Sequence, residues 1–151
     1  MGFLPQGAAG ALLLALGAGP ALASGGFDCS ASDGKVKLAV SGGVSRGLGG
    51  RPFNVEGTLE VLKAKVAADF RKVAFTGDDL AQNWLDGREL RLRLYRERAG
   101  DTPHGYVEIA IVTRAKDELD FAGTYTVEVY EADTGSDGKV TIKGKVACSV
   151  E

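Results

Sequence analysis

The sequence predicts an all-β domain, a single antiparallel sandwich or small barrel of about seven strands with one short helix. Three observations carry this. Apolar and polar residues alternate with period two along most of the chain after residue 35. Turns rich in Gly, Asp and Pro interrupt that alternation at the spacing of sandwiches and barrels. No internal repeat and no long run of helical spacing competes with it. The composition agrees: 151 residues, 44% hydrophobic, 25% charged and a formal net charge of -2 describe an ordinary globular chain.

The elements follow in order. Val36, Leu38 and Val40 alternate with Lys35, Lys37 and Ala39, a half-buried strand. Ser41 to Arg51 holds five glycines in eleven residues and reads as a loop. Phe53, Val55, Gly57, Leu59 and Val61 form the inward row of the next strand. Residues 63–75 carry both helical spacing and a short FRKVAF run, and a loop followed by a strand near 70–75 is favoured. Thr76 to Trp84 reads as one or two helical turns, with Thr76 as N-cap and Asp78 and Asp79 in the first turn. Arg88 to Arg98 is the strongest strand, with Leu90, Leu92 and Leu94 facing one way and Arg91, Arg93 and Tyr95 the other. A turn at Gly100 to Pro103 makes it a hairpin with Tyr106 to Thr113. Gly123 to Ala132, a DTGSDG turn and a last strand with Val140, Ile142, Gly144, Val146, Cys148 and Val150 on one face complete the domain.

The N-terminus predicts export. Residues 1–27 contain no charged side chain, and an apolar run from Ala8 to Ala18 precedes Gly19-Pro20 and Ala21-Leu22-Ala23-Ser24. That is the apolar core, bend and A-x-A cleavage site of a signal peptide over 1–23, with a single domain over 24–151. The n-region departs from the pattern in lacking Lys and Arg. The run is too short for a transmembrane helix, so the mature chain is expected to carry no transmembrane anchor. Periplasmic or secreted delivery makes one disulfide between Cys29 and Cys148 the simplest use of the two cysteines.

Candidate chemistry is sparse. One histidine and two cysteines exclude a four-cysteine zinc site and His-rich metal sites, and no metal or cofactor is expected. Near-zero net charge removes the usual electrostatic argument for nucleic acid. Gly43-Val44-Ser45-Arg46-Gly47 matches G-x-S-x-G, with His104 downstream. Leu48-Gly49-Gly50-Arg51-Pro52 cannot start the helix that a nucleophile elbow needs, so a mobile loop is the default. His104, between Pro103 and Gly105, fits a solvated turn residue better than a base. Asp133, Asp137 and Gly138 fit half a calcium loop, but Gly144 stands where a bidentate glutamate belongs, and a hairpin turn explains them better.

The charge distribution says more. Residues 88–98 hold five arginines against Glu89 and Glu97, whereas residues 101–137 hold nine carboxylates against Arg114 and Lys116. If Leu94 pairs with Ile109, Tyr95 lies opposite Glu108 and Arg93 diagonal to it, which makes the arginine row a solvated, self-compensating sheet surface. The functional alternative is a basic-aromatic patch of Arg91, Arg93 and Tyr95 with Trp84, suited to a protein, peptide or anionic ligand.

Cys29 in the first strand, the Asp33-Gly34 turn after it and Cys148 in the last strand resemble, in outline, small periplasmic lysozyme inhibitors. Their Ser-Gly-x-x-Tyr loop is missing; Phe121-Ala122-Gly123-Thr124-Tyr125 does not supply it, and membership is not assigned. The expectation is an exported, non-enzymatic binding or interaction module, envelope-associated or inhibitor-like. The alternative is a small periplasmic hydrolase built on the Ser45 loop.

Overall fold

A sheet whose strands each bury one row of side chains must cover that row, and a sheet with enough strands can do so by curling on itself. This chain takes that route. The computed structural model describes residues 24–45, 50–132 and 138–151. The elements are β1 (Ser24–Ser32), β2 (Val36–Ser45), β3 (Phe53–Val61), α1 (Ala68–Arg71), β4 (Lys72–Thr76), β5 (Leu80–Asp86), β6 (Glu89–Glu97), β7 (Gly105–Ala115), β8 (Asp120–Glu131) and β9 (Lys139–Val150), with a 3₁₀ turn at Gly77–Asp79. The sheet order is β4-β3-β2-β1-β9-β8-β7-β6-β5, antiparallel throughout. The result is a nearly closed, up-and-down barrel rather than a sandwich.

The two edge strands explain the closure. Antiparallel pairing around the whole sheet makes β4 and β5 run the same way, and the 3₁₀ turn joins them end to end. They are two halves of one course: the first pairs with β3, the second with β6. The barrel therefore has eight courses, the number at which side chains can fill the interior. Arginines fasten the joint. Arg51 donates to the carbonyls of Gly77 (3.2 Å) and Leu80 (2.7 Å), and Arg96 of β6 donates to the carbonyl of Ala74 in β4 (3.0 Å).

The interior is solid. Phe27, Leu59, Leu90, Leu94, Ile109, Ile111 and Tyr125 are fully buried, among valines from β2, β3, β7 and β8. One end is plugged by the segment before β4, where Val66 and Phe70 are buried. The Arg98 guanidinium lies 4.6 Å above the Phe70 ring and pairs with Asp69 (2.6 Å) and Glu131 (3.6 Å). Glu131 in turn accepts from the Ala67 backbone N–H at 2.9 Å. Nearby, the Tyr125 hydroxyl donates to Asp33 Oδ2 at 2.6 Å, tying the β1–β2 turn to the core. Gly144 stands directly opposite Tyr125, and any side chain there would collide with Tyr125 and Asp33.

Cys29 and Cys148 are disulfide-bonded and face each other in register across β1 and β9. The bond joins the first and last strands, which are neighbours in the middle of the sheet order. Both cysteines are buried, as the inward row of the last strand predicts.

Several expectations need correction. There are nine strands, not about seven, because β1 is weakly patterned and the closing course is split in two. Thr76 to Trp84 is not a helix of one or two turns. Thr76 does cap a turn, its N–H donating to Asp79 Oδ2 at 2.8 Å, but only Gly77–Asp79 is helical and Trp84 lies on β5. Pairing with β6 overrides the local helical signal there. Residues 41–45 belong to β2 rather than to the glycine-rich loop, since β1 pairs with them through Ser45. The strand expected near 70–75 is β4, preceded by the single helical turn of α1. Phe53 leaves the inward row: the register shifts between Ser41 and Gly43, Asn54 adopts a left-handed φ of 49°, and Phe53 is turned out over Gly43. The signal peptide over 1–23, the Arg46 to Gly49 part of the loop and the Asp133 and Asp137 turn lie outside the described residues.

Candidate binding surface

The outer faces of β5, β6, β7 and β8 carry the predicted patch. The expected pairing of Leu94 with Ile109 is present, and Tyr95 lies opposite Glu108. Because Leu90, Leu92 and Leu94 fill the inward positions, period two forces Arg91, Arg93 and Tyr95 outward. Trp84 lies opposite Arg91, and Gln82 opposite Arg93. Trp84 is 55% exposed, the most exposed large apolar side chain among the described residues. Gln82, Trp84, Arg91, Arg93, Ala110 and Val112 border a shallow cleft of about 640 Å³ on this face.

The arginines are compensated, Arg93 across the diagonal to β7 and Arg91 along its own strand. Arg93 meets Glu108 at 2.8 Å and Arg91 meets Glu89 at 2.7 Å; Glu89 also holds Arg114 at 3.0 Å. Glu108 holds the Arg93 guanidinium charged above its ordinary range. Both arginine side chains stay about half exposed, so these pairs are screened by solvent and individually weak.

Beside this patch runs an aromatic row not anticipated from the sequence. Tyr95 and Tyr106 have ring centroids 5.3 Å apart, and Tyr106 stacks on Tyr130 at 5.4 Å. His104 flanks Tyr130 at 5.9 Å. The Tyr106 hydroxyl donates to Glu128 at 2.6 Å, and Lys139 pairs with the same carboxylate at 2.7 Å. That hydrogen bond, aided by burial, pushes the Tyr106 phenol up to about 12. Lys139 first, and Tyr106 second, hold the Glu128 carboxyl below its usual range. Burial, then the hydrogen bond to Glu97, raises the Tyr95 phenol. The signal was available: Val107 and Val129 point inward, so Tyr106 and Tyr130 must point out, and the β7–β8 register makes them neighbours.

A second cleft lies at the barrel end opposite the plug. It measures about 680 Å³ and is bordered by Val44, Pro52, Asn83, Leu85, Leu119 and Phe121, among others. Leu119, in the β7–β8 turn, carried no periodic signal because it lies outside any strand.

The residues of the hydrolase alternative are not brought together. Ser45 ends β2 at the open end of the barrel, whereas His104 precedes β7 at the plugged end, its carbonyl accepting from Ala132 at 2.9 Å. Among the described residues no three His, Cys, Asp or Glu side chains gather as a metal-ligand set, and no helix is long and apolar enough to cross a membrane.

Fold and surface together define a disulfide-closed antiparallel barrel with a filled interior and a charged, aromatic outer face. No protein-family model, curated protein or solved structure matches the chain.

Proposed function

We propose that this protein is an exported, periplasmic or secreted binding module that performs no catalysis and engages a protein, peptide or anionic partner through the outer face of β5 and β6. The observation that carries the reading is the exposed Trp84 set in register beside Arg91, with Arg93 one step along the same face. Tryptophan and arginine are the residues that dominate binding energy at interfaces, and a solvent-exposed tryptophan bordered by guanidinium groups suits that use. Tyr95 adds its edge, although its ring is partly covered by Tyr106. Export is supported by the uncharged N-terminal segment ending in A-x-A and by the Cys29–Cys148 bond, which belongs to an oxidising compartment. The separation of Ser45 from His104 weighs against the hydrolase alternative, since a base must reach its nucleophile. A filled interior directs a ligand to the surface rather than into the barrel.

The test is site-specific photocrosslinking of the full protein in its native envelope. A photoreactive side chain in place of Trp84 should give a discrete covalent product, whereas one at Thr141, exposed on β9, should not. Equal products from both positions would count against a binding face at Trp84.

A further inference from the structure

We propose that the notch between β3 and β5 takes an extended segment of another polypeptide, which adds as a strand to the free edge of β5. This rests on the binding-module reading and names how the partner enters.

Four observations lead to it. The split closing course leaves two strand edges uncovered at the open end. β4 pairs with β3 only from Glu56 to Glu60, so residues 53–55 lack a partner on that side, and β5 pairs with β6 alone. Outside its ladder with β6, β5 makes backbone hydrogen bonds among the described residues only at its two ends: the Leu80 N–H donates to Gly77, the Leu80 carbonyl accepts from Arg51, and the Asp86 carbonyl accepts from Arg88. Second, the edge is unprotected. Exposed edge strands are normally blunted by Lys, Pro or inward charges, yet β5 (LAQNWLD) contains no proline and carries its one charge, Asp86, at its last position. Third, Trp84, Leu85 and Leu119 are exposed at 55%, 39% and 51% around the same cleft.

The fourth observation concerns the occupant. The cleft of about 680 Å³ has the size of a ligand site, enough for a short extended segment and not for a folded domain. Anything pairing with β5 must fit between it and the facing wall of Val44 and Pro52. A second copy of this barrel would have to bring its own β5, backed by its own cleft wall, into that space. The residues bordering the cleft include Asp86 and Glu118, while the nearby Arg51 guanidinium is engaged with the carbonyls of Gly77 and Leu80. The geometry therefore points to a partner segment with alternating apolar residues and a Lys or Arg at one end. Main-chain hydrogen bonds to β5 would supply affinity, and the mixed apolar and acidic cleft specificity, as in other strand-addition complexes.

The experiment selects a displayed library of random heptapeptides on the oxidised full protein, then measures amide hydrogen exchange with the synthesised winners. Alternating apolar peptides with a terminal cation should emerge, and amides within 82–86 should exchange at least about tenfold more slowly in the complex. Leu85→Asp, or Leu119→Asp should the first fail to fold, should weaken binding by about tenfold or more. N-methylation of alternate peptide amides should abolish it. Winners that leave 82–86 exchange unchanged, no selection above background, or protection of β5 by self-association without peptide would each overturn the inference. Partner crosslinking at Trp84 alongside failed strand addition would remove this inference alone and leave the binding-module reading in place.

Discussion

Reduction of the Cys29–Cys148 bond should loosen the barrel at its shortest strand pairing. β1 and β9 pair over only four residues, 27–30 against 147–150, whereas β1 pairs with β2 over nine. The two cysteines are 119 residues apart in sequence, so the cross-link spans nearly the whole described domain. The chain-entropy relation gives about 5 kcal/mol of stabilisation for a loop of that length, and measured values commonly fall to about 2–4 kcal/mol. For a domain of this size each kcal/mol shifts the melting temperature by about 4 °C, so loss of the bond should lower it by roughly 8–20 °C. The bond is buried, which requires strong reductant or prior unfolding. The assay is thermal unfolding of oxidised protein against the Cys29→Ala/Cys148→Ala double variant, with free-thiol labelling as the check on the oxidised state. The variant also loses two buried sulfur groups, so Cys29→Val/Cys148→Val is a second comparison that limits the cavity contribution. A double variant melting within about 2 °C of the parent would refute the reasoning, as would labelling of both thiols in the folded protein.

Further outcomes follow from the same geometry. Leu92→Ala, at a position 2% exposed between Leu90 and Leu94, should destabilise by about 2–5 kcal/mol in a denaturant titration. Absorbance at alkaline pH should show Tyr106 ionising near 12, and Tyr125 is likewise raised, by burial and by Asp33. These are raised folded values, so their stabilisation is complete below about pH 10 and is lost as pH climbs from there toward 12. Tyr106→Phe should flatten the alkaline limb of a stability profile. For delivery, intact-mass measurement of the exported protein should place its first residue at Ser24 or within a residue or two, and a product retaining Met1 would contradict the export reading.

Most strands were legible because period two is a strong signal wherever one face is buried and the other solvated. β6 illustrates it: three leucines alternating with Arg91, Arg93 and Tyr95 fixed both faces, while the Leu94–Ile109 register was a supposition that the β6–β7 pairing bears out. The closing course was not legible. Its strand β5 has only Leu80 buried, since its inner side opens onto the cleft, so the sequence from 80 to 86 carries no alternation to read. Acidic residues after Thr76 then mimic a helix start, although the helix stops at three residues. Phe53 defeated the parity argument because a left-handed Asn54 reverses the face, and nothing in one sequence marks that bulge. The Arg93–Glu108 pair was anticipated from the supposed register, the same-strand pair of Arg91 with Glu89 was not, and the tyrosine row needed registers across three strands. The open-end cleft needed the barrel itself, because Val44, Leu85 and Leu119 are far apart in sequence.

The reading as a binding module is tested most directly by charge reversal on its face. Arg91→Glu combined with Arg93→Glu should abolish capture of the partner crosslinked through Trp84. Both arginines are exposed and each loses one surface ion pair, so the folding cost should stay within about 1 kcal/mol per site, with Arg93→Gln as a milder comparison against the new carboxylate beside Glu108. Ser45→Ala should leave capture unchanged. Lost capture with a preserved melt is the predicted result. Capture that survives the double reversal would make the arginine row a solvated sheet surface, and a hydrolytic activity removed by Ser45→Ala would overturn the account.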